Sequence, residues 1–130
     1  MPEQKHSVIV IDDEERVREL LIDYLDECDE FELRGACSGE AALEMLQLRP
    51  ADLCVVDLRL PGIDGAEFIM AASEAKLCRR FLVHTGSVDF LLPQALVEGL
   101  GMATEDVFYK PVDAATLLAR IRERLAGRMA

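Results

Sequence analysis

The sequence predicts one α/β domain built on a doubly wound, five-stranded parallel sheet with helices on both faces. Two patterns carry that expectation. Five short apolar runs alternate with segments of helical periodicity, which is the signature of consecutive βαβ units with right-handed crossovers. The runs are apolar throughout rather than alternating, so they suit interior parallel strands covered on both sides. A length of 130 residues fits one unit with its own core, since single domains commonly run to about 100–150 residues. The unit is expected to span residues 6–125.

Ser7 to Ile11 is a continuous β-branched run and reads as the first strand. From Glu14 to Glu27, Val17, Leu20, Leu21, Tyr24 and Leu25 recur at three-and-four spacing, which places a stripe on one side of a helix. Phe31 to Ala36 fits a second strand. Ser38 can cap a helix running to Leu48, with Ala42, Leu43 and Leu46 inward and Pro50 just past its end. Asp52 to Asp57 is a third strand that closes on a carboxylate. After a turn at Pro61-Gly62, Ala66 to Ala75 has helical composition, with Phe68, Ile69 and Ala72 available for packing.

Phe81 to Thr85 makes the fourth strand and Val107 to Tyr109 a short fifth. Between them Pro93 suits only a helix start, so a fourth helix of about two turns is expected to begin there. An apolar loop with Val88, Phe90, Leu91 and Leu92 precedes it and reads either as a docking surface for a partner or as residues that fill the core. Asp113 can cap a last helix striped by Leu117, Leu118, Ile121 and Leu125, with Gly127 as its stop.

The composition is 51% hydrophobic and 30% charged, that of an ordered globular chain. Fourteen Lys plus Arg against 25 Asp plus Glu give a net charge of −11, which argues against direct nucleic-acid binding. No apolar run approaches the ~20 residues of a membrane span, and no apolar signal core follows Met1, so a cytoplasmic protein without membrane insertion is expected. Cys28, Cys37, Cys54 and Cys78 lack metal-ligand spacing and read as buried, reduced thiols acting as small hydrophobes.

Ligands of doubly wound sheets sit beyond the carboxyl ends of the strands. Those ends hold Asp12 and Asp13, Asp57, Thr85 and Lys110. If the strands are ordered 2-1-3-4-5, the first and third are neighbours and the three Asp side chains share one crevice. Carboxylates so close repel one another unless a cation joins them, and an all-oxygen donor set favours Mg²⁺. A carboxylate beside Mg²⁺ can attack phosphorus and become an acyl phosphate, with Lys110 and Thr85 balancing charge on the phosphoryl oxygens.

The set Asp12-Asp13, Asp57 through Pro61-Gly62-Ile63-Asp64-Gly65, Thr85-Gly86 and Lys110-Pro111 resembles the response-regulator receiver family over about His6 to Leu125. The resemblance implies a flavodoxin-like fold with strand order 2-1-3-4-5. It also implies a phosphorylation-controlled signalling switch, not an enzyme acting on other substrates. By that resemblance Asp57 is the phosphoacceptor, and Asp12, Asp13, Asp57 and the Arg59 backbone carbonyl bind Mg²⁺, for which Mn²⁺ could substitute. Thr85 is the switch hydroxyl, Lys110 pairs with the phosphoryl group, and Arg59 and Ser87 flank the attacking water. Pro61 and Gly62 form the turn beyond the acceptor, and the Lys110-Pro111 peptide is cis. Implied partners are a sensor histidine kinase or phosphotransfer protein, an unknown downstream protein, and a second copy in a homodimer.

The family often carries Tyr or Phe three residues before its lysine, whereas Val107 stands here. Phe108 and Tyr109 are out of register, and only Tyr109 shares the side of Val107. A phosphorylation-independent module on the same fold is therefore the alternative function. An aspartyl phosphohydrolase would need a second Asp two residues past its nucleophile, where Arg59 stands. His84 adjoins Thr85 but alternation turns it away, so it reads as a packed strand histidine.

Overall fold

The structure is a computed structural model that describes residues 5–86 and 92–127. Its elements run β1 (His6–Ile11), α1 (Glu15–Asp26), β2 (Phe31–Ala36), α2 (Gly39–Leu48), β3 (Ala51–Val56), α3 (Gly65–Glu74), β4 (Cys78–Thr85), α4 (Gln94–Leu100), a 3₁₀ turn (Thr104–Asp106), β5 (Val107–Tyr109) and α5 (Ala114–Gly127). The strands form one parallel sheet in the order β2-β1-β3-β4-β5.

Alternation along the central strands sends side chains into two cores. Ile9, Ile11, Cys54, Val56, Phe81 and Val83 face α2, α3 and α4, where Leu46, Phe68, Ile69, Ala72 and Leu96 are buried. Val8, Val10, Leu53, Val55 and Leu82 face α1 and α5, against Leu21, Leu25, Leu117 and Ile121. Both faces of the sheet are thus dry along Val8 to Ile11, Leu53 to Val56 and Phe81 to Val83, which is why those stretches are apolar throughout.

Local signals set the boundaries. Ser38 caps α2 by accepting from the Ala41 N–H at 3.0 Å. α3 opens on a capping box, in which the Asp64 carboxylate accepts from Glu67 N–H and the Glu67 carboxylate from Asp64 N–H. Pro93 sits immediately before the seven-residue α4, and Gly101, at φ 68°, closes it in the left-handed conformation.

Four expectations need correction. β4 begins at Cys78, not Phe81, because Cys78 pairs with Ala51 and Arg80 with Leu53 in the ladder, although Arg79 and Arg80 do not resemble interior strand residues. Asp57 falls one residue beyond β3, although its N–H still donates to Ile11 O at 2.9 Å. Leu20 is 63% exposed, because the buried stripe of α1 runs through Leu21 and Leu25, and Leu20 lies about 100° around the helix from Leu21. Cys37 is exposed and Cys28 packs half-buried at the edge of the α1–α5 core, while Cys54 and Cys78 are buried. The Cys54 thiol donates to Cys78 Sγ, and burial first, then that neighbour, pushes it well above the ordinary thiol value. Val88, Phe90 and Leu91 of the expected docking loop lie outside the described residues, as does Ser87.

Candidate functional site

The carboxyl ends of β1, β3, β4 and β5 meet at one edge of the sheet. Asp12 is the first residue past β1 and Asp57 the first past β3. Since Asp57 N–H bonds Ile11 O, the loop after β3 begins level with the end of β1. Asp12 and Asp57 are buried while Asp13 is exposed, and one carboxylate oxygen from each of the three lies within 4.8 Å of the others. Thr85, buried, ends β4, and its carbonyl accepts from Lys110 N–H at 2.8 Å, which fixes Lys110 just past β5. The Lys110-Pro111 peptide is cis.

Two glycines let the loop after β3 fold closely. A Cβ at Gly65 would stand 2.6 Å from the Asp57 carbonyl oxygen and 2.6 Å from Leu58 Cα, so only glycine lets α3 start against the acceptor loop. Gly62, in the turn begun by Pro61, has φ 78°, and a Cβ there would strike the Glu40 carboxylate. That carboxylate instead accepts from Ile63 N–H at 3.0 Å.

The polar contacts distribute unevenly. Asp12 Oδ1 accepts from Glu14 N–H at 2.9 Å, and Asp57 Oδ1 from Arg59 N–H at 3.1 Å. Arg59, itself exposed, thereby sets its backbone beside the acceptor carboxylate. Lys110 Nζ is shared among Glu14 Oε1 at 2.7 Å, Asp12 Oδ2 at 3.0 Å and Asp57 Oδ2 at 3.2 Å. Its approach to Asp12 is an ion pair outside hydrogen-bond angles, so the buried Asp12 Oδ2 has no hydrogen bond.

Burial chiefly, and then the charge of Asp12, pushes the Asp57 carboxyl above its ordinary value, while the Arg59 N–H and Lys110 pull it back. Burial also pulls on Lys110 in the direction of neutrality, but the carboxylates of Glu14, Asp12 and Asp57 outweigh it and hold the ammonium above its usual value. Asp12, Asp13, Asp57 and Glu14 against the Lys110 ammonium leave the crevice negative.

This donor set fits a hard divalent cation. It offers oxygen ligands close enough to share one ion, excess negative charge, and a buried carboxylate oxygen that accepts no hydrogen bond.

Two neighbours of the crevice carried no expected role. Glu14 pairs with Lys110, although an acidic residue at a helix start commonly serves only the helix dipole. His84 is 2% exposed with Nδ1 3.8 Å from Asp12 Oδ2. Alternation does turn it from Thr85, but toward the α1–α5 side, where Asp12 and Lys110 lie. Burial, then Lys110, lowers its pKa to about 4, so the ring is neutral at pH 7. His84, Lys110 and Glu14 also border an apolar groove of about 730 Å³ between α1 and the start of α5, lined by Leu20, Tyr24 and Val112 among others.

Known proteins share this architecture. The response regulator receiver domain family model matches residues 8–122. Transcriptional regulatory protein AfsQ1 of Streptomyces coelicolor is 34% identical over 122 residues, covering 89% of this chain and 49% of that protein. Transcriptional regulatory protein GltR of Pseudomonas aeruginosa is 30% identical over 121 residues, covering 92% and 48%. The chain therefore spans about half the length of the curated relatives it matches. The charge argument against nucleic-acid binding accordingly covers these 130 residues alone, since relatives named as transcriptional regulators extend well beyond the matched part. Among solved structures, a putative response regulator from Chloroflexus aurantiacus superposes with TM-score 0.77 at 28% identity, covering 95% of this chain and 99% of that one. A receiver domain protein from Methanospirillum hungatei superposes with TM-score 0.81 at 21% identity, covering 97% and 98%, and shares the fold. With the family model spanning most of its length and the sheet order and acidic edge in place, the chain belongs to the response-regulator receiver domains of two-component signalling.

Proposed function

We propose that this receiver unit, residues 6–125, is a phosphorylation-controlled switch with Asp57 as phosphoacceptor. The observation that carries the proposal is the crevice itself: Asp12, Asp13 and Asp57 crowd together with one buried oxygen unsatisfied and Lys110 as shared counter-charge. Asp12, Asp13, Asp57 and the Arg59 carbonyl would hold Mg²⁺, or Mn²⁺ in its place. The ion supplies charge neutralisation and alignment of the phosphoryl oxygens.

The chain's own groups do the rest. An Asp57 oxygen attacks the phosphorus of a phosphohistidine on a sensor histidine kinase or phosphotransfer protein. The P–O bond forms as the P–N bond breaks, and the freed imidazole takes up a proton. Arg59 N–H keeps the Asp57 carboxylate oriented, and Lys110 turns from its carboxylate partners to the phosphoryl oxygens. Thr85 is the switch hydroxyl that closes on the phosphoryl group, while Arg59 and Ser87 flank the water that later removes it. The groove beside Lys110, with Leu20 at its lip, suits the donor protein because it is apolar and borders the crevice. The setting is cytoplasmic, and no helix among the described residues is long and apolar enough to cross a membrane. The output is a contact with a downstream protein, a DNA-binding unit, or a second copy.

Incubation with Mg²⁺ and acetyl phosphate followed by intact mass tests the proposal. One phosphoryl group should add to the wild type and none to Asp57→Asn; an unmodified wild type, or equal addition to the variant, would refute it. A phosphorylation-independent module is favoured by one observation: Val107, packed against the α2–α3 core, stands at the aromatic position. Equal partner affinity with and without beryllofluoride would select that module.

A further inference from the structure

One buried imidazole stands beside the acidic crevice with no part in the phosphoryl chemistry. We propose that His84 is a positioning residue whose ring N–H holds the Asp12 carboxylate in the orientation that metal ligation requires. This rests on the phosphoacceptor proposal and adds to it a group supplied by the fourth strand.

Three observations support it. First, Asp12 Oδ1 is committed to Glu14 N–H, whereas Oδ2, on a side chain only 1% exposed, has no hydrogen bond. Second, Lys110 cannot by itself fix that oxygen, because its ammonium is divided among three carboxylates and its closest partner is Glu14. Third, His84 Nδ1 lies 3.8 Å from Oδ2, and the residue is 2% exposed on a strand position paired with Phe108 of β5, so the ring has little freedom to leave. That separation is longer than a hydrogen bond by under about 1 Å, and contacts of this kind tighten when the ligand arrives. Ligating carboxylates depend on such supporting donors, whose loss typically weakens metal binding about 10–100-fold.

The test uses the full chain with His84→Asn, His84→Gln and His84→Leu. Asn places its amide nitrogen close to Nδ1, Gln carries an amide to the wrong end of the ring's space, and Leu supplies volume without a donor. Calorimetric Mg²⁺ titration of the unphosphorylated protein should show Leu and Gln about tenfold or more weaker than wild type, with Asn within a few-fold. With acetyl phosphate, Leu and Gln should raise the Mg²⁺ concentration needed for half-maximal rate and leave the rate at saturating Mg²⁺ nearly unchanged. If Leu does not fold, the contrast between Asn and Gln decides. Wild-type Mg²⁺ affinity in Leu or Gln, or equal weakening in Asn, overturns the role of His84 while a phosphorylated wild type leaves Asp57 as acceptor. A wild type that neither binds Mg²⁺ nor gains phosphate overturns both.

Discussion

Two places in this molecule bury carboxylates, and they treat them oppositely. Asp106, fully buried in the 3₁₀ turn before β5, is saturated: Oδ1 receives Arg120 at 2.9 Å with Arg124 at 3.6 Å, and Oδ2 receives Ala103 N–H at 3.0 Å. That cluster ties α5 to the end of the turn and asks for nothing further. Asp12 and Asp57 are equally hidden, yet they share one ammonium with an exposed glutamate, and one oxygen has no hydrogen bond. A buried charge that is satisfied serves structure, whereas one left short of partners costs stability and is retained for what it can bind.

Neutralising the two sites should therefore move stability in opposite directions. The largest effect is expected at the saturated site. Arg120→Leu leaves buried Asp106 with only Arg124 at 3.6 Å and one backbone N–H, and denaturant unfolding should show a loss of about 3 kcal/mol. At the unsatisfied site, Asp57→Asn removes a buried charge and should gain about 1–2 kcal/mol at pH 7 without metal, seen as a Tm higher by several degrees.

The pH dependence carries its own sign. The Asp57 carboxyl is raised in the folded protein above its ordinary 3.8. The folded state thus keeps its proton to higher pH than the unfolded state, and wild-type stability falls relative to Asp57→Asn as pH climbs from 3.8 through the raised value. Below that window both states are protonated and the gap closes; unfolding curves of the two proteins across the window check it. A gap that widens toward acid would mean that Asp57 is satisfied after all.

Smaller effects refine the contrast. Glu14→Gln releases Lys110 from its nearest partner and should tighten beryllofluoride binding a few-fold, measured by titration with Mg²⁺ present. By comparison, Glu30→Gln breaks an exposed pair with Arg122 and should leave Tm unchanged within error.

The sequence made the sheet legible because interior parallel strands are apolar on both faces, and Val-Ile-Val-Ile or Leu-Cys-Val-Val fits little else. The meeting of Asp12, Asp13 and Asp57 was legible for the same reason, since strand ends in a doubly wound sheet converge by topology. What lay beyond reach depended on angle and on distant pairing. The exposure of Leu20 follows from where α1 rotates against the sheet, and helical spacing alone does not set that rotation. Asp106 meets Arg120 across fourteen positions of chain, with no spacing rule to announce it. His84 could be turned from Thr85 by alternation, but that it then faces Asp12 required the register of β4 against its neighbours.

Calorimetric titration of Mg²⁺ into the chain and into Asp12→Asn, Asp57→Asn and Arg120→Leu probes the difference between the two sites most directly. One ion should bind the wild type and Arg120→Leu with similar affinity, and both Asp variants should bind it far more weakly. Equal Mg²⁺ affinity in all four proteins would contradict an acidic edge left short of partners in order to hold a cation.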